Sequence, residues 1–202
     1  LNDYLIGLKT FYDIADYITI NISSPNTKNL RDFHEEKKLD ELMSSIEKEK
    51  INLKSKIPIV VKISPDIMDD QINLIGGILL KYKVGAIIIS NTAESGRENL
   101  RNILKHQKGG LSGKPIEEKS NKLIAKFYNV LKGKIDIIGV GGVDSGRSAY
   151  EKFLAGASYV QLYTGMVFQG PNIVGKIKKE LKELLISDGV RNFQEIIGKR
   201  LN

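Results

Sequence analysis

The sequence contains no cysteine, and this absence excludes several kinds of chemistry at once. Without thiols the chain has no disulfide framework, no cysteine-ligated zinc site and no cysteine nucleophile. Long apolar runs are also missing, because no stretch approaches the roughly 20 residues that a membrane-spanning helix needs. We expect no metal site, and the redox compartment stays open because a reducing compartment does not require cysteines.

The charge balance is basic, with a net charge of +7. A basic protein can bind nucleic acid or an anionic membrane surface. Here the lysines are interspersed with glutamates, as in residues 35–38 and 178–180, which is typical of solvated helix faces. Nucleic-acid binders cluster their charge on one face, so we expect no nucleic-acid partner. A basic surface near a membrane stays open.

Short β-branched segments predict strands buried on both faces, because they are apolar almost without interruption. These segments are residues 17–22, 59–63, 86–89, 135–140 and 159–162. Apolar residues at helical spacing predict helices between and after them, the last beginning at about Pro171. The helical segments are residues 39–46, 72–79, 123–131, 149–154 and 171–184. This alternation predicts right-handed βαβ units around a parallel sheet.

Two α/β architectures fit this pattern, an open doubly wound sheet and a (β/α)8 TIM barrel. A whole barrel takes about 250 residues and eight units, whereas five units use nearly all of the 202 residues. We therefore expect residues 1–202 to be the C-terminal part of a single barrel domain that lacks its N-terminal units, with the open sheet as the alternative. The first residue, Leu1, is not an initiator methionine, which agrees with a missing upstream part.

Small polar residues and glycines follow each predicted strand. The clusters are residues 21–27, 62–66, 90–92, 139–142 and 163–165. In barrels and in open α/β sheets, the carboxyl ends of the strands form the edge that holds the active site. The sequence therefore predicts a site assembled from several strand ends.

The last two clusters favour a phosphate. Gly141 and Gly142 precede a predicted helix, and glycines let the backbone approach a ligand that the free N–H groups of a helix N-terminus attract. Barrels often bind phosphate after their seventh and eighth strands, which predicts a cradle of Gly142 and the Tyr163–Thr164 backbone. A second glycine loop at residues 109–113 supports this interpretation. The alternative is a tight strand–helix turn.

Lys62 lies inside an otherwise apolar strand, and its ammonium needs a counter-charge or an electron-rich ligand. The alternative is a lysine whose head lies in a wet barrel mouth. The amides of Asn21, Asn26 and Asn91 suit a ligand with alternating N–H and C=O groups, although asparagine also serves in caps and turns. Ser24 has no histidine or aspartate at nucleophile-elbow spacing, which disfavours a Ser–His–Asp hydrolase.

Together these segments resemble the dihydroorotate dehydrogenase family in order and spacing. The segments that carry the resemblance are residues 21–27, 89–92, 109–115, 138–142 and 155–163, so it covers nearly the whole chain. In that family a cysteine base marks the soluble class 1 enzymes and a serine marks the membrane-associated, quinone-using class 2 enzymes. Ser24 therefore implies class 2, and residues 174–198 resemble the eukaryotic, mitochondrial branch.

The resemblance implies oxidation of dihydroorotate to orotate in pyrimidine biosynthesis, with FMN as the cofactor and ubiquinone as the electron acceptor. It implies that Ser24 removes the C5 proton while the hydride of C6 passes to FMN. The orotate ring would be held by Asn21, Asn26, Asn91 and Thr92. The implied FMN contacts are Asn21, Lys62, Ser90, Gly113, Gly142, Tyr163 and Thr164.

The early strands of the family and its N-terminal helical pair, which meets quinone and membrane, have no counterpart in this sequence. We therefore expect association with the mitochondrial inner membrane through a segment upstream of Leu1. Two other interpretations stay open. One is a class 1 enzyme or another FMN barrel that uses fumarate or NAD, and the other is a non-catalytic barrel fragment.

Overall fold

The computed structural model of the chain describes residues 1–27, 29–98 and 100–201. Its strands are β1 Ile18–Asn21, β2 Ile59–Ile63, β3 Ala86–Ile89, β4 Asp136–Val140 and β5 Tyr159–Gln161. Its α-helices are α1 Asn2–Phe11, α2 Glu36–Asn52, α3 Asp69–Lys81, α4 Glu117–Leu131, α5 Gly146–Leu154, α6 Thr164–Gln169 and α7 Ile173–Ser187. Short 3-10 helices lie at Leu30–His34, Ile103–His106, Lys114–Ile116, Phe193–Ile196 and Lys199–Leu201.

The strands form one parallel sheet in which each strand pairs with the next along the chain, from β1 to β5. The register places Asn21 beside Lys62 and Lys62 beside Ile88. A doubly wound sheet reverses its strand order at a switch point, and this sheet has no reversal. Because crossovers between parallel strands are right-handed, consecutive order places the connecting helices on one face. The doubly wound alternative is therefore wrong.

The two faces of the sheet bury different residues. Outward side chains such as Val61, Ile87 and Ile137 join the large core that the helices cover. The opposite face carries a smaller cluster of Val60, Ala86, Ile88, Ile138 and Val140. Side chains alternate between faces along a strand, so Lys62 lies on this second face, with Val60 and beside Ile88. That face corresponds to the interior of a barrel.

The helices pack through the faces predicted from the sequence, and consecutive helices touch one another. The buried residues of α2, α3 and α4 include Leu39, Leu42, Met43, Ile46, Ile72, Ile75, Ile78, Leu79, Leu123, Ile124, Phe127 and Leu131. Helix α5 begins at a capping serine, because the Ser145 hydroxyl accepts the N–H of Ser148. No helix of residues 1–27, 29–98 and 100–201 is long and apolar enough to cross a bilayer.

The structure corrects two details of the predicted elements. The last helix begins at Ile173 rather than at about Pro171, because the chain turns at Gly170, whose carbonyl accepts the N–H of Ile173. Helices α1 and α6 were not predicted. Helix α1 packs Tyr4, Leu5 and Leu8 against the core at helical spacing, whereas α6 has only six residues, which is too short for a helical period to show.

Two adjacent glycines in α3 test the packing of this helix layer. A Cβ on Gly76 would lie 2.6 Å from Cγ1 of Val130 in α4, whereas Gly77 has open space around it. Gly76→Ala should lower the free energy of unfolding by about 1–3 kcal/mol, since overpacking separates the helices. The matched control Gly77→Ala should raise it by about 0.5–1 kcal/mol, because alanine loses less entropy in a helix. Urea unfolding followed by circular dichroism measures both, and equal effects would contradict this packing.

Candidate active site

The carboxyl ends of the strands lie along one edge of the sheet, and a cavity of about 540 Å³ opens there. Its volume lies within the range of about 300–1,000 Å³ that small-molecule sites occupy. The walls come from the ends of β2 to β5 and from the loops that follow them. Four of the five strand ends that the sequence singled out therefore share a concave surface.

Most of the predicted site residues line this cavity. Those on β2 to β5 and their loops are Lys62, Ser90, Asn91, Thr92, Gly113, Gly142, Tyr163 and Thr164. The three that lie on β1 and its loop, Asn21, Ser24 and Asn26, are not part of the wall. Asn21 is nevertheless next to Lys62 in the sheet register.

A buried hydroxyl connects β1 to the cavity. Ser23 is fully buried, donates to Oδ1 of Asn21 at 2.5 Å and accepts from Nδ2 of Asn91 at 2.7 Å. Asn91 in turn accepts the N–H of Thr92 at 2.7 Å through its own Oδ1. This chain of hydrogen bonds fixes the orientation of both amides. Sequence reasoning assigned no role to Ser23, although continued alternation past Asn21 would have placed it on the same face.

Ser24 lies in a tight local turn. Its half-buried Oγ accepts the N–H of Asn26 at 3.2 Å, and the Thr27 hydroxyl lies 3.5 Å away. In the part of the chain that the structure describes, the groups bonded to this oxygen are a backbone amide and a hydroxyl. His34 is engaged elsewhere, since its Nδ1 meets the Arg31 carbonyl oxygen at 2.9 Å. The arrangement does not support a Ser–His–Asp hydrolase.

Lys62 projects from the inner face into the wall of the cavity. It is half-buried, and burial lowers the pKa of its ammonium. Among the described residues no carboxylate raises the pKa of Lys62 again, so loss of hydration alone sets the direction of its change. A lysine in this condition is suited to a ligand that carries negative or electron-rich groups.

Two glycines bring neighbouring loops into close contact at the cavity. Gly142 has φ +80°, and a Cβ there would lie 2.4 Å from Cβ of Glu117 in α4. Gly113 has φ +76°, and a Cβ there would lie 2.9 Å from Cγ2 of Thr164. A side chain at either position would be strained and would separate the walls. The loops after β3, β4 and β5 therefore present bare backbone at the cavity, as a bound phosphate requires.

A junction of charges ties the loops after β1, β2 and β3 together. Asp66 accepts the N–H of Glu94 and the Ser95 hydroxyl, both at 2.7 Å, and it pairs with Arg31 and Lys119. Burial by itself would raise the pKa of the Asp66 carboxyl, but these hydrogen bonds outweigh it and hold the pKa below its usual range. Sequence reasoning missed this junction because its members are far apart along the chain.

His34 forms a second link between strand-end loops. It is 4% exposed, and its Nε2 accepts the Ser64 N–H at 3.4 Å while Nδ1 faces the Arg31 carbonyl oxygen. This pattern requires a neutral imidazole with its proton on Nδ1. Burial lowers the pKa of His34, and the nearby Arg31 charge lowers it further.

Comparison with known proteins identifies relatives of this chain. The dihydroorotate dehydrogenase family profile matches residues 1–185. The dihydroorotate dehydrogenase (quinone) of Bartonella tribocorum is 42% identical over 200 residues, which are 96% of this chain and 55% of that protein. The mitochondrial dihydroorotate dehydrogenase (quinone) of Mus musculus is 40% identical over 198 residues, 97% of this chain and 50% of that protein. The chain thus spans about half the length of these relatives.

Solved structures agree with the sequence relatives. The crystal structure of DHODH from Eimeria tenella in complex with ferulenol matches with a TM-score of 0.95 at 32% identity, over all of this chain and 58% of that one. The ligand-free form from the same organism gives a TM-score of 0.95 at 33% identity and 60% coverage of its chain. The predicted barrel-type α/β fold, present in part, is confirmed.

The buried imidazole predicts a pH dependence of stability. The pKa of His34 is lower in the folded chain than the ordinary value of 6.5. The contribution of the neutral His34 to the free energy of unfolding is therefore complete above pH 6.5 and is lost as the pH falls below 6.5 toward the pKa of the folded chain. His34→Gln should remove this part of the pH dependence, while the exposed control His106→Gln should keep it. Urea unfolding between about pH 5 and 8 measures the slopes, and a wild-type slope in His34→Gln would reject the neutral, buried role.

Proposed function

This chain belongs to the dihydroorotate dehydrogenase family, and we propose that the protein containing it oxidises dihydroorotate to orotate with FMN as the cofactor. In this proposal a quinone accepts the electrons, and the reaction serves pyrimidine biosynthesis. One observation carries the proposal, namely that Lys62, Asn91 and Gly142, from three different strand ends, line a single cavity. A flavin and a flat pyrimidine acid need such a shared rim.

The residues present fit FMN at both of its ends. At the phosphate end, Gly141 and Gly142 line the cavity, and they let the turn pack directly against Ile116 and Glu117, where a Cβ would clash. Thr164 adds a hydroxyl there, hydrogen bonded to Ser112 at 3.0 Å. At the ring end, the half-buried ammonium of Lys62 has a lowered pKa and supplies a charge that an electron-rich ring system would stabilise. The other proposed FMN contacts are Asn21, Ser90, Gly113 and Tyr163.

FMN, when bound, supplies the hydride acceptor and a route for the two electrons to the quinone. The task that this proposal assigns to Ser24 is removal of the proton from C5 of dihydroorotate. A serine needs a polar relay for that proton, and the Thr27 hydroxyl, 3.5 Å from Oγ, offers the first step. Lys62 would favour the reduced, anionic flavin by placing positive charge beside it.

The substrate would be held by Asn21, Asn26, Asn91 and Thr92. Ser23 supports this assignment, because it fixes the amides of Asn21 and Asn91 with respect to each other. A site built to hydrogen-bond N–H and C=O groups rejects analogues that lack them, since its own polar groups would remain unpaired. Asn26 is exposed and follows the Ser24 turn, where it could meet the substrate from the loop side.

The choice of quinone as acceptor rests on Ser24 in the position of the base and on the relatives named as quinone enzymes. We further propose the mitochondrial inner membrane as the location. The resemblance of residues 174–198 to the mitochondrial branch supports it, as does the mitochondrial relative from mouse. Bacterial relatives are equally similar, so the location depends on the species that encodes the chain. Membrane association would involve a segment outside residues 1–202.

The complete purified protein tests the proposal directly. We expect a flavin absorption band and formation of orotate with a ubiquinone analogue as the acceptor. Turnover with fumarate or NAD but not with the quinone would favour class 1 chemistry instead. A protein with no flavin band, even after addition of FMN, would favour the non-catalytic fragment.

Ser24→Ala should lower orotate formation by about 10²–10⁴-fold, the range expected for loss of a general base. Flavin content should not change, because Ser24 is not among the proposed FMN contacts. The matched control Ser187→Ala changes an exposed serine at the end of α7 and should behave as wild type. Stopped-flow reduction of the flavin by dihydroorotate measures the effect, and wild-type turnover would reject Ser24 as the base.

Lys62→Met should slow flavin reduction by about 10²-fold and lower the flavin midpoint potential, because the charge that favours the reduced form is lost. FMN retention should also weaken. The control Lys122→Met removes an exposed lysine of α4, which is paired with Glu118 at 2.6 Å, and should change neither property. Wild-type potential and reduction rate in Lys62→Met would argue against the proposed role.

A further inference from the structure

Lys152 of α5 is a lysine that the proposed reaction does not use, and it is 0% exposed. Its Nζ donates to Oγ of Ser120 at 3.0 Å and to Oδ1 of Asn121 at 2.9 Å. Neither partner carries a negative charge. Burying an ammonium is costly unless a counter-charge compensates for its lost hydration, and the attraction of the nearby Glu117 does not outweigh this cost.

The side chain of Lys152 reaches the end of β4 that bears the glycine turn. It runs along the outer face of the strand, where a Cβ on Gly139 would lie 2.9 Å from Cδ of Lys152. Gly139 therefore makes room for the lysine stem beside the strand. The ammonium is thus held on the helix-covered side of the sheet, opposite to the inner face that carries Lys62.

A short hydrogen-bonded path leads from Lys152 to the cavity. The Ser120 hydroxyl, which accepts from Nζ, donates to the carbonyl oxygen of Val140 at 2.8 Å. The same carbonyl accepts the N–H of Ser90 at 3.1 Å. Val140 and Ser90 both line the cavity, and Val140 directly precedes the Gly141–Gly142 turn.

The charged groups around Lys152 come from the elements packed against α5. Glu117 at the start of α4 attracts the ammonium, and Lys114 in the preceding 3-10 helix repels it. These two pair with each other at 2.5 Å, and Lys114 also lies 3.6 Å from Asp144. From α7 and its end, Glu180 binds the N–H of Gly146, and Asp188 accepts from Tyr150. Burial outweighs the attraction of Glu117 and lowers the pKa of Lys152 to about 7.

We propose that Lys152 is the buried counter-charge of the flavin phosphate, a positioning residue that acts from behind the Gly141–Gly142 turn. The inference rests on the function proposed above and deepens it. The glycine turn meets the phosphate through backbone N–H groups and brings no charge of its own. Lys152 supplies the missing positive charge and fixes the turn through Ser120 and the Val140 carbonyl.

A proton linkage follows from this arrangement. A bound phosphate dianion raises the pKa of Lys152, because an opposite charge favours the ammonium. FMN binding therefore takes up a proton, and the affinity for FMN falls as the pH rises above about 7. Riboflavin carries the same ring without the phosphate, so the ratio of the two affinities cancels effects at the ring, including any titration of Lys62. The raised pKa of Lys114, which its pairing with Glu117 causes, keeps that neighbouring lysine charged in this range.

The test uses the complete protein, stripped of flavin, and titrates it with FMN and with riboflavin by fluorescence at about pH 7 and pH 9. This range lies above the second ionisation of the phosphate, near pH 6. The wild-type preference for FMN over riboflavin should fall about tenfold between the two pH values. Lys152→Met, which keeps the length of the stem, should lose about tenfold of that preference at pH 7 and should show no pH dependence. Lys122→Met should match the wild type.

The outcomes of this test distinguish failure of the inference from failure of the proposed function. A wild-type preference that is equal at both pH values, or a Lys152→Met protein that retains it, overturns the inference. Equal loss of both flavins in Lys152→Met also overturns it, because a purely structural lysine would act on both. If this variant does not fold, the wild-type pH profile alone decides. A wild-type protein that binds neither flavin refutes the proposed function itself.

Discussion

Parallel pairing of successive strands aligns five carboxyl ends along one edge, where the ends of β2 to β5 form the cavity wall and the end of β1 is joined to it through Ser23 and Asn91. The pairing also fixes which side chains share a face, since the register places Asn21, Lys62 and Ile88 side by side. A shift of one residue in any strand would move its side chains to the opposite face. The position of Lys62 in the cavity wall, and the reach of Ser23 toward Asn91, both depend on this register.

Strands and most helices could be predicted because burial leaves a local signature. Strands β2 and β3 occur at the predicted residues, β4 and β5 are shorter by one residue at one end, and β1 is shorter by one residue at each end. Helix α6 has six residues with Met166, Val167 and Phe168 in a row, all of them exposed, so no helical period marks it in the sequence. The last helix begins later than predicted because Gly170 turns the chain, a backbone event that an apolar pattern does not encode.

The candidate site likewise contains residues that the sequence predicts and residues that it does not. Residues at strand ends could be predicted, because each follows its strand directly in sequence. The groups that hold them in place could not, because Ser23 meets Asn91, and Lys152 meets Ser120, only after the chain has folded. The roles of all the predicted site residues remain predictions, and Asn21, Ser24 and Asn26, on β1 and its loop, lie outside the cavity wall. Lys62 and Lys152 lie on opposite faces of the sheet. The sequence alone does not distinguish the lysine that faces the cavity from the lysine that lies behind the glycine turn.

Consecutive strand order has a kinetic consequence. Each of the five strands pairs with its neighbours along the chain, and each helix from α1 to α4 contacts the next helix, while α7 packs on α5. Closing a short loop costs less entropy than closing a long one, and domains rich in local contacts fold faster than those that depend on distant pairings. A βα unit leaving the ribosome can therefore dock onto the unit made just before it, so assembly can keep pace with synthesis.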